Sequence, residues 1–229
     1  HAAYDMTYVR VTNESLGFHK PEVFFMGNPH GDETVGPINT YWFVDWLMRY
    51  AFDPACQTEQ SGWLRWLIDN REIYVSVTHN PDGYDRDRRG EATMQSDLNR
   101  EADFQCCSES AIGGPFASPN GKTVSKFINS HQVRVGNDFH AGTIMMLYPW
   151  GVIGGNIQAT SRISGQSYSY LNPDFYFFDA ESLRLGKYVG SYQGSYSPSN
   201  TAPPPDILYA AHGTYLDFGY GSNTQAHPE

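Results

Sequence analysis

His30-Gly-Asp-Glu33 sets an imidazole and a carboxylate three residues apart, just after the apolar run Val23-Phe24-Phe25-Met26. Two such side chains can face one metal ion, and a third ligand far along the chain can complete the set. His140 offers that ligand, because Asp138-Phe139-His140 closes a second apolar stretch. Three nitrogen and oxygen ligands with a position left for water are the arrangement of catalytic zinc. An HxxE pair alone is common on protein surfaces. Here it stands in order with Asn80-Pro81-Asp82-Gly83, Asp97-Leu98-Asn99-Arg100 and Leu147-Tyr148-Pro149-Trp150-Gly151.

The elements that must hold these residues can be read from period and turn residues. Glu22–Met26 and Glu72–Thr78 are short runs of apolar, β-branched or aromatic residues that end at turns, and they predict strands. Between them, Thr34–Ala51 carries apolar residues at Val35, Ile38 and Trp42 and at Tyr41, Val44 and Met48, the spacing of one helical face. Gly62–Asn70 predicts a second helix with Trp63, Trp66 and Leu67 on one side. Lys122–Gln132 predicts a third, with Val124, Phe127 and Ile128 inward, followed by strands over Val133–Phe139 and Ile144–Tyr148. This order argues an α/β fold with a mixed, mostly parallel central sheet and helices on both faces. Ligand sites in such sheets form where strands end and loops begin. His30, Asn80 and His140 all follow predicted strands.

The chain has 229 residues, 40% of them hydrophobic and 15% aromatic, which suits one folded domain with a sizeable core. Fifteen Lys and Arg stand against 25 Asp and Glu, for a net charge of −10. That balance argues against nucleic acid and anionic membranes as partners, although Arg86, Arg88 and Arg89 form a local basic stretch. No run approaches the roughly 18 apolar residues of a membrane span. Three cysteines are too few for a disulfide scaffold, but one bridge from Cys56 to Cys106 or Cys107 is plausible. Asn13-Glu14-Ser15 is an N-glycosylation sequon. Low Lys and abundant Tyr, Ser and Gly suggest an extracellular or secreted protein. From 154 to 205, Ser, Tyr, Gly and Pro dominate around a helix expected at Ala180–Val189. Long loops forming the wall of a substrate cleft are the simplest reading.

With these residues in view, the chain resembles the zinc carboxypeptidases of the M14 metallopeptidase family, from about Pro21 to Tyr220. The resemblance implies a carboxypeptidase-like fold, one Zn2+ per chain and peptide or protein C-termini as substrates. His30, Glu33 and His140 match the zinc ligands. Asp97 matches the carboxylate that supports a histidine ligand, and it suits a helix cap or Asx-turn as well. Asn99 and Arg100 match the pair that binds the terminal carboxylate, a planar anion that a guanidinium fork suits. Arg89 matches the catalytic arginine that polarises the scissile carbonyl, with Arg88 as its competitor. Tyr209 stands before Asp217 as the family's substrate-capping tyrosine stands before its aspartate. Leu147, Gly151, Leu208, Ala211 and Leu216 fall on positions that line the pocket for the terminal side chain, so an apolar or aromatic residue is expected there. Asp206 or Asp217 would alter that preference if either intruded.

One departure is expected to matter. The family's general-base glutamate lies on a strand beyond the aspartate matched by Asp217, and its place falls past Glu229. The strand and helix that usually close the domain fall there too. The expectation is therefore divided. Either this is a zinc-dependent metallocarboxypeptidase whose polypeptide continues, or it is a catalytically silent carboxypeptidase-like module with a binding or structural role in an extracellular assembly.

Overall fold

The computed structural model describes residues 4–91, 93–103, 113–151, 159–160, 167–168, 172–188 and 200–225. Its centre is a sheet of four strands, β1 (Tyr8–Val11), β2 (Glu22–Gly27), β3 (Glu72–Ser76) and β4 (Val133–Phe139), in the order β1-β3-β2-β4. β2 runs parallel to both β3 and β4, and β1 runs antiparallel to β3 at the edge. The mixed, mostly parallel sheet is the one expected, with β1 as the addition that the turn signals did not mark.

Side chains on a strand alternate between faces, and here the alternation sorts them between two cores. Phe24, Met26 and Tyr74 face one core with Val124, Phe127 and Ile128 of α4 (Pro119–Ser130). Ile73 and Val75 face the other with Leu47 and Ala51 of α1 (Val35–Phe52) and with Leu64 and Ile68 of α2 (Ser61–Asn70). β3 is buried throughout, as expected of a strand with helices over both faces. Helix α4 buries the three residues predicted for it.

The first two helices require a correction. The expected face of α1 is mostly its outer one: Val35, Ile38, Tyr41, Trp42 and Met48 are exposed, and of that set only Val44 packs against the core. The buried side is Gly36, Pro37, Thr40, Leu47 and Ala51. Small residues let the first turns of the helix lie directly on backbone: a Cβ at Gly36 would sit 2.6 Å from both Asn28 N and Phe139 O. On α2, Trp63 and Trp66 stack on each other in solvent, while Leu64 and Ile68 go inward. Aromatic spacing here marks the outer surface, and close approach selected the inner one.

Further corrections are shorter. The strand expected at Ile144–Tyr148 is β5 (Met146–Leu147), paired in parallel with Thr201–Ala202. The helix expected at Ala180–Val189 is α5 (Phe175–Gly186). Most of the loops of the 154–205 stretch lie outside the described residues, as do Cys106 and Cys107 and hence any bridge from them to Cys56. No helix of the described residues is long and apolar enough to cross a membrane.

Parallel pairing brings the C-terminal ends of β2, β3 and β4 to one edge. Gly27 pairs with Phe139, which places His140 beside the loop that leaves β2. That loop rests on the one that leaves β3. A Cβ at Gly31 would lie 2.2 Å from Gly83 C and 2.3 Å from Arg88 O, so the glycines of His-Gly-Asp-Glu and Asn-Pro-Asp-Gly meet backbone to backbone. Substitution Gly31→Ala should therefore displace backbone rather than a flexible side chain, costing about 1–3 kcal/mol or more as overpacking. Thermal unfolding should show a clear loss of stability. An unchanged melting temperature would show that the loops have room to part.

Candidate metal and carboxylate site

His30 and Glu33 are held by a loop that Asn28 shapes. Asn28 is fully buried with a left-handed φ of 64°, a conformation that asparagine tolerates better than most residues. Its amide donates to the carbonyls of His30 at 2.6 Å, Gly31 at 3.1 Å and Glu33 at 3.3 Å. One side chain thereby serves three backbone carbonyls of the loop, with one of its two amide hydrogens shared. The Arg89 carbonyl accepts from Gly31 N at 3.0 Å and from the Asn80 amide at 3.1 Å, joining the two motif loops again. Asn80 also caps α3 (Pro81–Asp85) by accepting from Gly83 N.

His30, Glu33 and His140 come together, with one ligand atom from each within 4.8 Å of the others. Glu33 lies between the two rings, its Oε1 2.8 Å from His30 Nδ1 and its Oε2 2.7 Å from His140 Nδ1. The two Nδ1 atoms are 3.2 Å apart. Each outer nitrogen meets a different carboxylate: His30 Nε2 is 3.2 Å from Asp97 Oδ1, and His140 Nε2 is 3.0 Å from Asp138 Oδ2. Two imidazole nitrogens and a carboxylate, with further carboxylates on the outer ring nitrogens, form a donor set that fits zinc.

Asp97 serves its turn as well as His30. Its Oδ1 accepts from Asn99 N at 2.9 Å, capping the short Leu98–Arg100 turn, and its Oδ2 takes Arg89 Nε at 2.8 Å. Arg89 Nη1 is also 3.7 Å from Glu33, so Arg89 is the arginine brought to the cluster. Asn99 is buried, with its Oδ1 accepting from Tyr215 N at 2.9 Å and its Nδ2 3.1 Å from His140 Nε2. Arg100 Nη2 donates to the Tyr209 hydroxyl at 3.2 Å, and its guanidinium stands over the same ring at 5.7 Å. Tyr209 is half exposed, at the mouth of the cluster.

Leu147 and Leu216 are partly buried, on β5 and on the first turn of α6 (Tyr215–Gln225); Leu208 is exposed and Ala211 buried. Gly151 N donates to Asp217 Oδ1 at 2.7 Å, and Asp217 is fully buried. That aspartate ties the Gly151 loop to α6. The roles of Asn28 and Asp138 went unread in the sequence. Asn28 left a trace in Gly27-Asn28-Pro29, a turn signal directly after the strand. Asp138 left only its place two residues before His140.

The charges of the cluster hold one another. Burial pulls the Glu33 carboxyl upward, but hydrogen bonds from His140 and His30 outweigh it and keep the group well below the usual carboxylate range. Burial acts the same way on Asp97, where His30, Arg89 and Arg100 prevail and the shift is again downward. For His140, burial depresses the imidazole, while Asp138 and Glu33 push it up to about 10.

Comparisons with known proteins bear on the family and the fold. The family model described as zinc carboxypeptidase matches residues 3–226. Human carboxypeptidase D is 25% identical over 155 residues, covering 62% of this chain and 10% of that protein. Bovine carboxypeptidase B is 27% identical over 159 residues, covering 58% of this chain and 36% of its own length. Carboxypeptidase A from Helicoverpa armigera superposes with a TM-score of 0.69 at 19% identity, over 96% of this chain and 53% of that one. Bovine thrombin-activatable fibrinolysis inhibitor gives 0.67 at 16% identity, over 97% and 72%. The chain thus spans between a tenth and about a third of the length of these curated relatives.

A metal ion that uses His140 must displace the proton that Asp138 and Glu33 favour. The sign follows: the proton competes below the raised value, so zinc affinity should climb with pH toward about 10. The slope should approach roughly tenfold per pH unit. Competition against a chromophoric chelator at several pH values measures it. A flat profile between about pH 6 and pH 8 would contradict the charge arrangement.

Proposed function

The chain belongs to the zinc carboxypeptidase family, and from that premise we propose that it takes part in zinc-dependent hydrolysis of the C-terminal residue of peptides. The supporting observation is one turn, Asp97–Arg100, that carries two kinds of group. Its first residue braces the ligand His30, and its last two present an amide and a guanidinium beside the cluster.

His30, Glu33 and His140 would hold one zinc ion, which when bound polarises a carbonyl and makes water more acidic. The remaining work falls to the chain's own side chains. Among the described residues no carboxylate forms an ion pair with Arg100, whose guanidinium donates to the Asn99 carbonyl and the Tyr209 hydroxyl. A free α-carboxylate is the anion that would complete it, with charge-assisted bonds that fix register. The amide of Asn99 is held with its NH2 toward the site because its oxygen is taken by Tyr215 N. Tyr209, exposed beside Arg100, would close over the terminal residue. Arg89, anchored through Nε on Asp97, is placed to stabilise the oxyanion that develops at the scissile carbonyl.

Leu147, Leu208, Leu216, Gly151 and Ala211 favour an apolar or aromatic terminal side chain, since an unpaired cation beside them would be costly. The proposed setting is extracellular, with peptide or protein C-termini as substrates.

The test is Arg100→Ala in the intact protein. Zinc content and melting temperature should stay unchanged, while kcat/KM on peptides with a free C-terminus should fall by about 100-fold or more. C-terminally amidated peptides should be poor substrates for both proteins. Equal cleavage of free and amidated peptides by the wild type would overturn the exopeptidase assignment. Zinc binding without cleavage of either would favour the silent module.

A further inference from the structure

His140 Nε2 has two competing neighbours. Asp138 Oδ2 lies 3.0 Å from it and Asn99 Nδ2 lies 3.1 Å from it. The Asn99 amide has its sense fixed, because Oδ1 accepts the Tyr215 backbone N–H at 2.9 Å and so leaves the NH2 toward the ring. A carboxylate accepts and an NH2 donates, so the two neighbours ask opposite things of one nitrogen. In the neutral ring that a metal ion would take, an Nε2–H bonds to Asp138 and leaves Nδ1 a lone pair to offer the metal site. If Nε2 is the lone pair it accepts from Asn99, and the hydrogen sits on Nδ1 facing Glu33, where it blocks coordination.

We propose that Asp138 is a positioning residue that wins this contest, keeping the Nε2–H tautomer of His140 and releasing the Asn99 amide for substrate. The inference rests on the metal reading of His30, Glu33 and His140. The site then has two parallel arms, Asp97 behind His30 and Asp138 behind His140, but only the second is contested. Asp97 meets His30 Nε2 at 3.2 Å with Arg89 on its other oxygen, which secures that arm separately. Asp138 sits on β4 opposite Met26, in a register fixed by the sheet, so the acceptor is supplied by a rigid element. The Asn99 NH2, left with no acceptor on the ring, is then free to donate to whatever carboxylate enters beside Arg100. Metal binding and substrate capture share one hydrogen-bond decision.

The contest makes a rescue possible that a merely structural aspartate would not allow. Asp138→Ala should weaken zinc affinity by about 10–100-fold, the usual effect of losing a ligand's supporting carboxylate. Adding Asn99→Asp should restore most of it. Aspartate at 99 can still accept from Tyr215 N, and it puts an acceptor where the NH2 stood, 3.1 Å from Nε2. Zinc dissociation constants by chelator competition and visible spectra of the cobalt(II) proteins would be read together, with melting curves of the metal-free variants as a fold control. The expected result is a lost and then recovered dissociation constant and cobalt spectrum, with substrate binding still impaired in the double variant. Unchanged affinity in Asp138→Ala would overturn the proposal, and so would a loss that Asn99→Asp fails to recover. A wild type that takes up no zinc would overturn the metal reading first, and this inference with it.

Discussion

Backbone lying directly on backbone, where the loop leaving β2 meets the loop leaving β3, fixes the site before any side chain does. Gly31 leaves no space for a Cβ against Gly83 and Arg88, and the Arg89 carbonyl bonds both Gly31 and Asn80. His30 and Glu33 therefore enter the site from a loop whose height above the sheet is set. The Gly27–Phe139 register then brings His140 alongside them. Sub-ångström errors matter at such a site, because ligand geometry has to be held by rigid supports.

Charge is what this scaffold confines. Glu33 lies between two imidazoles, and each imidazole leans on a further carboxylate, so carboxylates and rings alternate from Asp97 to Asp138. Burial of so many ionisable groups would be prohibitive if they stood alone. Paired in this way, they favour charged carboxylates and a protonated His140, a state that a metal ion can replace. The same turn that supports His30 presents Arg100, so four consecutive residues would join the proposed metal and anion contacts.

Much of this was legible in the sequence, and the unread parts share a physical cause. Strands β2, β3 and β4 announced themselves because short apolar runs ended at turn residues. His30, Glu33 and His140 stood out because their types suit one chemistry and each follows a strand. Helix α1 misled, because its apolar and aromatic spacing belongs to its outer face. Its inner face was chosen by closeness, through Gly36 and Thr40, and smallness carries no hydrophobic signal. Asn28 and Asp138 escaped for a related reason: their roles depend on which backbone or ring they meet, and that is settled by register and turn rather than by residue type. Arg89 could be separated from Arg88 only by geometry, through its bond to Asp97.

The central claim is that His30, Glu33 and His140 form one metal site, and metal content tests it most directly. Protein saturated with zinc, freed of excess and analysed by mass spectrometry of the element should hold one zinc per chain. The His140→Ala variant, folded to the same melting profile, should hold none. One tightly held zinc per chain in that variant would contradict the account.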